Sequence, residues 1–80
     1  MRVVKEILHP NLKITIFNWN NRYLIKLEAG SFEQTYKISE LDVISEADVV
    51  NLLDEDFLAQ VRTRFDEMAK SLLLAIRRHE

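Results

Sequence analysis

The sequence of 80 residues contains no cysteine, one glycine (Gly30) and one proline (Pro10). Without cysteine the chain can form no disulfide, no thiolate nucleophile and no cysteine-bound zinc site. With a single glycine, a glycine-rich loop that cradles phosphate is nearly excluded. These absences argue against several common classes of catalytic site, and no cofactor is predicted.

Long apolar runs are also missing, as is an N-terminal apolar segment followed by a cleavage site. We therefore expect a cytoplasmic protein that does not enter a membrane. The formal net charge of −2 argues against general binding of nucleic acid or of anionic membranes.

Hydrophobic residues make up 48% of the chain and charged residues 30%, which is typical of a folded globular protein and not of a disordered one. At this length we expect one domain that spans residues 1–80. Such a small domain buries only about 63% of its extended surface, so its stability is marginal and contacts with partners would add to it.

The first half of the chain alternates apolar and polar residues, as strands do. Residues 12–19 and 22–29 flank Asn20-Asn21, two residues that tolerate the positive φ of a type I′ turn. A hairpin closed there pairs Ile16 with Ile25 on an aliphatic face. On the other face it pairs Lys13 with Glu28, Phe17 with Leu24 and Trp19 with Arg22, which predicts an ion pair and a cation–π pair.

A third strand is predicted over residues 32–38 and an additional one over residues 3–8. The register of the third strand is left open. A loop at Ala29-Gly30 sets Lys26 opposite Glu33, whereas a loop at Gly30-Ser31 has better turn chemistry but sets Glu28 opposite Glu33. The free energies gained from the favourable cross-strand pair and from the favourable turn differ by less than about 1 kcal/mol.

The second half has helical periodicity. Ser45 is the expected N-cap of a short helix that ends near Leu53, and a long helix is expected from Glu55 to Arg78. The sequence thus predicts an α+β fold, in which an antiparallel sheet of three to four strands is covered on one face by a short and a long C-terminal helix. The predicted core comprises Ile14, Ile16, Ile25, Leu27, Tyr36, Val61, Phe65, Met68 and Leu72.

No catalytic or metal-binding arrangement is apparent among the titratable residues. His9 precedes a proline and His79 is next to last, and such histidines are usually structural or merely exposed. The acids of residues 54–56 lack the spacing of a calcium loop and are explained by a helix N-terminus. We therefore predict no catalytic residue and no metal site.

Two surfaces are candidates for protein contacts. The sheet face away from the helices presents Phe17, Trp19, Arg22 and Leu24, unless the N-terminal segment or residues 43–53 fold over them. The end of the long helix carries Leu73 and Leu74, with Leu74 off the apolar stripe, and the last turn or two should extend past a compact domain. A homodimer is the simplest assembly that would cover such leucines.

These features favour a small non-enzymatic interaction or structural module that acts as a homodimer, with another protein as a further possible partner. The alternative is a single-stranded nucleic-acid binder that uses Phe17, Trp19, Arg22 and Lys26 on the open sheet face. Aromatic and basic side chains on an antiparallel sheet can stack on bases and hold phosphates.

Overall fold

The computed structural model describes residues 1–43 and 45–80. An antiparallel sheet of four strands fills the N-terminal half, and consecutive strands are neighbours in it. Two helices follow, so the predicted α+β architecture is confirmed. The elements are β1 (Arg2–His9), β2 (Leu12–Trp19), β3 (Arg22–Ala29), β4 (Phe32–Ser39), α1 (Glu46–Asn51) and α2 (Glu55–Arg78).

Each strand is joined to the next by a two-residue turn that contains a residue with positive φ. Asn20 and Asn21 have φ values of 52° and 61°, as a type I′ turn requires. Gly30 has a φ of 59° and opens the turn between β3 and β4, where glycine adopts this conformation without steric cost. Asn11, with a φ of 63°, follows Pro10 between β1 and β2. Asparagine is among the few other residues that tolerate this region.

The hairpin of β2 and β3 has the predicted register: Ile16 pairs with Ile25, and Trp19 pairs with Arg22. Between β3 and β4 the loop is Gly30-Ser31, since Ala29 pairs with Phe32 and Glu28 faces Glu33. The ion pair that the other register would have made is recovered diagonally, because Lys26 Nζ lies 3.5 Å from Glu33 Oε2. Turn chemistry therefore decides the register at little electrostatic cost.

Strand β1 pairs with β2 along its length and forms one edge of the sheet. The register shifts between Val3 and Lys5, so Val4 is the extra residue of a β-bulge. Val4 and Ile7 pack against the core from this edge. The segment predicted at residues 3–8 therefore belongs to the main sheet.

Both helices begin at residues that satisfy free backbone N–H groups. The Ser45 hydroxyl accepts from the Asp48 N–H while the Asp48 side chain accepts from the Ser45 N–H, which forms a capping box. The Asp54 carboxylate caps α2 by accepting from the Phe57 N–H at 2.8 Å. Helix α2 has the predicted bounds, whereas α1 ends at Asn51, slightly before the predicted Leu53.

The core lies between the aliphatic sheet face and the helices. Of the predicted core residues, Ile14, Ile16, Ile25, Leu27, Val61 and Phe65 are buried, and Tyr36 and Met68 are partly buried against them. The prediction for Leu72 is wrong, because this side chain is 50% exposed. Val49 of α1 and Leu58 of α2 complete the helical side of the core. Among the described residues, no helix is both long enough and apolar enough to cross a membrane.

Helix α2 extends well past the sheet. Met68 is the last residue of α2 that packs against the core. The following residues 69–78, called the helix overhang below, add about 15 Å at the rise of an α-helix. The described chain accordingly measures 48 Å along its longest axis against 25 and 19 Å across. The predicted overhang is confirmed, and it is longer than the turn or two expected.

Candidate functional site

The open sheet face is the side of the sheet that points away from the core. It contains Phe17, Trp19, Arg22, Leu24 and Lys26, which follow from the strand registers. Strand β1 extends the sheet in its own plane, and the buried residues of both helices belong to the core on the opposite side. The alternative, that the N-terminal segment or residues 43–53 fold over this face, does not hold for β1 or α1, while Ile44 lies outside the described residues.

The residues of this face differ in how much of each side chain is exposed to a partner. Leu24 is only 8% exposed, since it lies between Phe17 of β2 and Lys37 of β4. Phe17 is half-buried, and Met1 borders the same shallow hollow of about 210 Å³. Trp19 is 45% exposed and sits beside the exposed Arg22 at the hairpin tip. Val3 and Leu8 of β1, the cross-strand partners of Phe17 and Lys13, lie on the same face and are 53% and 80% exposed. Exposed apolar side chains on this face therefore lie both at the hairpin tip and along β1.

The charged side chains of the open sheet face are partly satisfied within the chain. Lys26 is held by Glu33 in the diagonal ion pair. Lys13 and Glu28 are cross-strand neighbours, but the predicted ion pair between them is not formed in the described part of the chain. The same region shows no cation–π contact between Trp19 and Arg22.

The helix overhang is the second apolar surface, and its exposed side chains are close together in the chain. Four of its aliphatic side chains are about half exposed: Leu72 at 50%, Leu73 at 47%, Leu74 at 53% and Ile76 at 50%. Leu72 and Ile76 continue the stripe that faces the sheet in the earlier part of α2, since residues at this spacing share one side of a helix. Beyond Met68 the described chain covers that stripe only in part, since Leu72 lines a groove with Phe32 and is half exposed.

A network of hydrogen bonds, half-buried at Gln34 and Tyr36 and exposed at Arg64, anchors α2 to β4 before the overhang. Gln34 Nε2 donates to the Val61 carbonyl at 2.9 Å, and the Tyr36 hydroxyl donates to Gln34 Oε1 at 3.1 Å. Arg64 Nη1 donates to the Tyr36 oxygen, also at 3.1 Å. Sequence reasoning did not single out Gln34. The sequence feature that could have indicated this role is that Gln34 is a polar residue at an inward-facing position between Phe32 and Tyr36.

Open grooves flank α2 where it leaves the sheet. The larger, of about 680 Å³, lies on the β4 side and is lined by Phe32, Gln34, Arg64, Glu67, Met68, Ser71 and Leu72. The smaller, of about 290 Å³, lies against the turn between β1 and β2 and includes Phe65 and Asp66. Leu72 therefore borders a concave surface that continues onto the overhang.

The two histidines lie at the ends of different elements. His9 ends β1 and is exposed, and His79 caps the C-terminus of α2. The described residues contain no group of three or more histidine or acidic side chains that could hold a metal ion. Comparison of the chain with protein-family models, with curated proteins and with solved structures found no match.

Proposed function

We propose that this protein is a non-enzymatic interaction module that acts as a homodimer through its helix overhang. The observation that carries the proposal is the row of half-exposed aliphatic side chains on residues 72–76, beyond the end of the sheet. A contiguous apolar surface of this kind on a small domain is typical of a protein contact site.

Burial of this surface contributes to the driving force for association. Covering the exposed half of a leucine or isoleucine contributes on the order of 1 kcal/mol. Three such side chains on each copy, Leu72, Leu73 and Ile76, can face one partner, since Leu74 points about 160° away from Leu72. On two copies they give a gain of roughly 6 kcal/mol, part of which offsets the lost freedom of the two molecules. On the open sheet face the exposed Val3 and Leu8 are separated by the charged Glu6, Leu24 is already buried and Lys26 is already paired.

A charge within the overhang tests the proposal. We expect the wild-type chain to sediment as a dimer at micromolar concentration and Leu73→Glu to sediment as a monomer. The change removes an apolar contact and desolvates a carboxylate in each of the two copies, which weakens a dimer by more than about 100-fold. Because Leu73 is half exposed in the single chain, the variant should keep the circular dichroism of the wild type.

Ser71→Glu is the matched control, since it adds the same charge to the same turn on the exposed polar side of the helix. It should leave the dimer intact. A wild-type chain that is monomeric at high micromolar concentration would overturn the homodimer. If Leu73→Glu stays dimeric, the chain associates through another surface.

The second candidate function, binding of single-stranded nucleic acid, is favoured only by the exposed Trp19 beside Arg22. A base stacked on this indole should quench its fluorescence, and the chain has no other tryptophan. We expect no quenching by a single-stranded oligonucleotide at low salt, because Glu28 and Glu33 lie on the same sheet face. Strong quenching that weakens as salt rises would favour this function over the dimer.

A further inference from the structure

The helix overhang and the turn that precedes it have an ordered charge pattern along the helix axis. The acids Asp66 and Glu67 precede its apolar centre, and the bases Arg77 and Arg78 follow it. Asp66 lies about as far before Leu72 as Arg77 lies after it. A surface with opposite charges at its two ends and apolar side chains between them is complementary to its own reversed copy.

Asp66 and Arg77 also share one flank of the helix. At 3.6 residues per turn their directions differ by roughly 20° around the axis, and both lie beside the stripe of Ala69, Leu72 and Ile76. Within the described residues neither side chain takes part in a salt bridge or a side-chain hydrogen bond. Both are exposed and free to pair with another molecule.

We propose that the overhang binds the overhang of a second copy in antiparallel orientation, across a two-fold axis near Leu72. This inference rests on the proposed homodimer and specifies its geometry. Asp66 of each copy then faces Arg77 of the other, so that two ion pairs flank the apolar stripe. A parallel two-fold pairing would instead place the two Arg77 side chains at the same height on opposite sides of the interface, about 16 Å along the axis from either Asp66, and would form neither ion pair.

The absence of native cysteine permits a direct test, because any disulfide must form at an introduced thiol. A disulfide requires the two Cα atoms to lie within about 7 Å. Leu72→Cys places the two thiols next to the two-fold axis, where they can join. Ile76→Cys places them about 12 Å apart along the axis of an antiparallel pair, but side by side in a parallel one.

We expect Leu72→Cys to form the covalent dimer at least about tenfold faster than Ile76→Cys under mild oxidation. The control is Leu72→Cys combined with Leu73→Glu, which should not crosslink at the same dilution. Charge reversal gives a second readout. Asp66→Arg and Arg77→Asp should each weaken the dimer about tenfold, and the two changes together should restore it.

Each outcome bears on a different part of the proposal. Efficient crosslinking of Ile76→Cys would overturn the antiparallel geometry while leaving the homodimer in place. A wild-type dimer in which neither cysteine crosslinks would show that the copies meet elsewhere. A monomeric wild type would reject the proposed function and this inference together.

The overall size of the dimer provides a check without any substitution. Two chains of 48 Å length that overlap only over the overhang, about 15 Å, form an elongated particle about 80 Å long. Dimers joined through their open sheet faces would be considerably shorter. Small-angle scattering of the wild-type dimer should give the longer dimension, and a maximum close to that of one chain would contradict the model of end-to-end overlap.

Discussion

Replacement of Ile25 by alanine is expected to lower the free energy of unfolding by about 2–5 kcal/mol. Ile25 is 1% exposed and lies at the middle of β3, paired with Ile16 of β2 and Tyr36 of β4. Its removal leaves a cavity between the sheet and the helices that these neighbours cannot fill. Chemical denaturation measures the loss, which is a large part of the total stability of a small domain.

Leu8→Ala is the matched control for this change. Leu8 is also an aliphatic strand residue, but it is 80% exposed, so its truncation should cost less than about 1 kcal/mol. Equal losses in the two variants would mean that Ile25 does not occupy the core. A loss below about 1 kcal/mol for Ile25→Ala would lead to the same conclusion.

The second large effect is expected for Phe65→Ala, at about 3–5 kcal/mol. Phe65 is 7% exposed and belongs to the core, near the point where α2 leaves the sheet. Leu72 lies two turns further along the same side of the helix but is 50% exposed. In the dissociated chain, Leu72→Ala should therefore cost much less than Phe65→Ala.

The two variants are compared by denaturation at a concentration where sedimentation shows a monomer. Similar costs would indicate that the core continues past Met68 in solution. The same comparison under dimeric conditions should increase the cost of Leu72→Ala, because the proposed interface buries Leu72. Such an increase would show, with the same two variants, that association buries the Leu72 side chain.

The positions of the candidate surfaces could be predicted from the sequence, but the burial and the partners of their side chains could not. Trp19 and Arg22 were placed on the open sheet face by the hairpin register, which local turn chemistry fixes. The burial of Leu24 depends on side chains from two neighbouring strands, and one of these, Lys37, belongs to a strand whose register the sequence left open. Gln34 was missed because its partners, Val61 and Tyr36, come together only when α2 docks on β4.

The sequence by itself determined the local features: the Asn20-Asn21 turn, the aliphatic face of the sheet, and the bounds of α2. Each of these depends on residues that are close together in the chain, through turn conformation, side-chain periodicity and helix capping. The antiparallel pairing of β2 and β3 follows from the same local rules, because a two-residue turn fixes the register of both strands.

Only the tertiary structure decided where the core ends along α2. The stripe of apolar residues continues through Ile76, and periodicity alone cannot show that its last part is uncovered. The helix docks with Phe57 against Tyr36, their ring centroids 5.3 Å apart, and Tyr36 lies in the middle of β4. From there to Phe32 the strand is only about 13 Å long, a distance that α2 spans in under three turns. The rest of the stripe, from Leu72 onward, therefore extends into solvent.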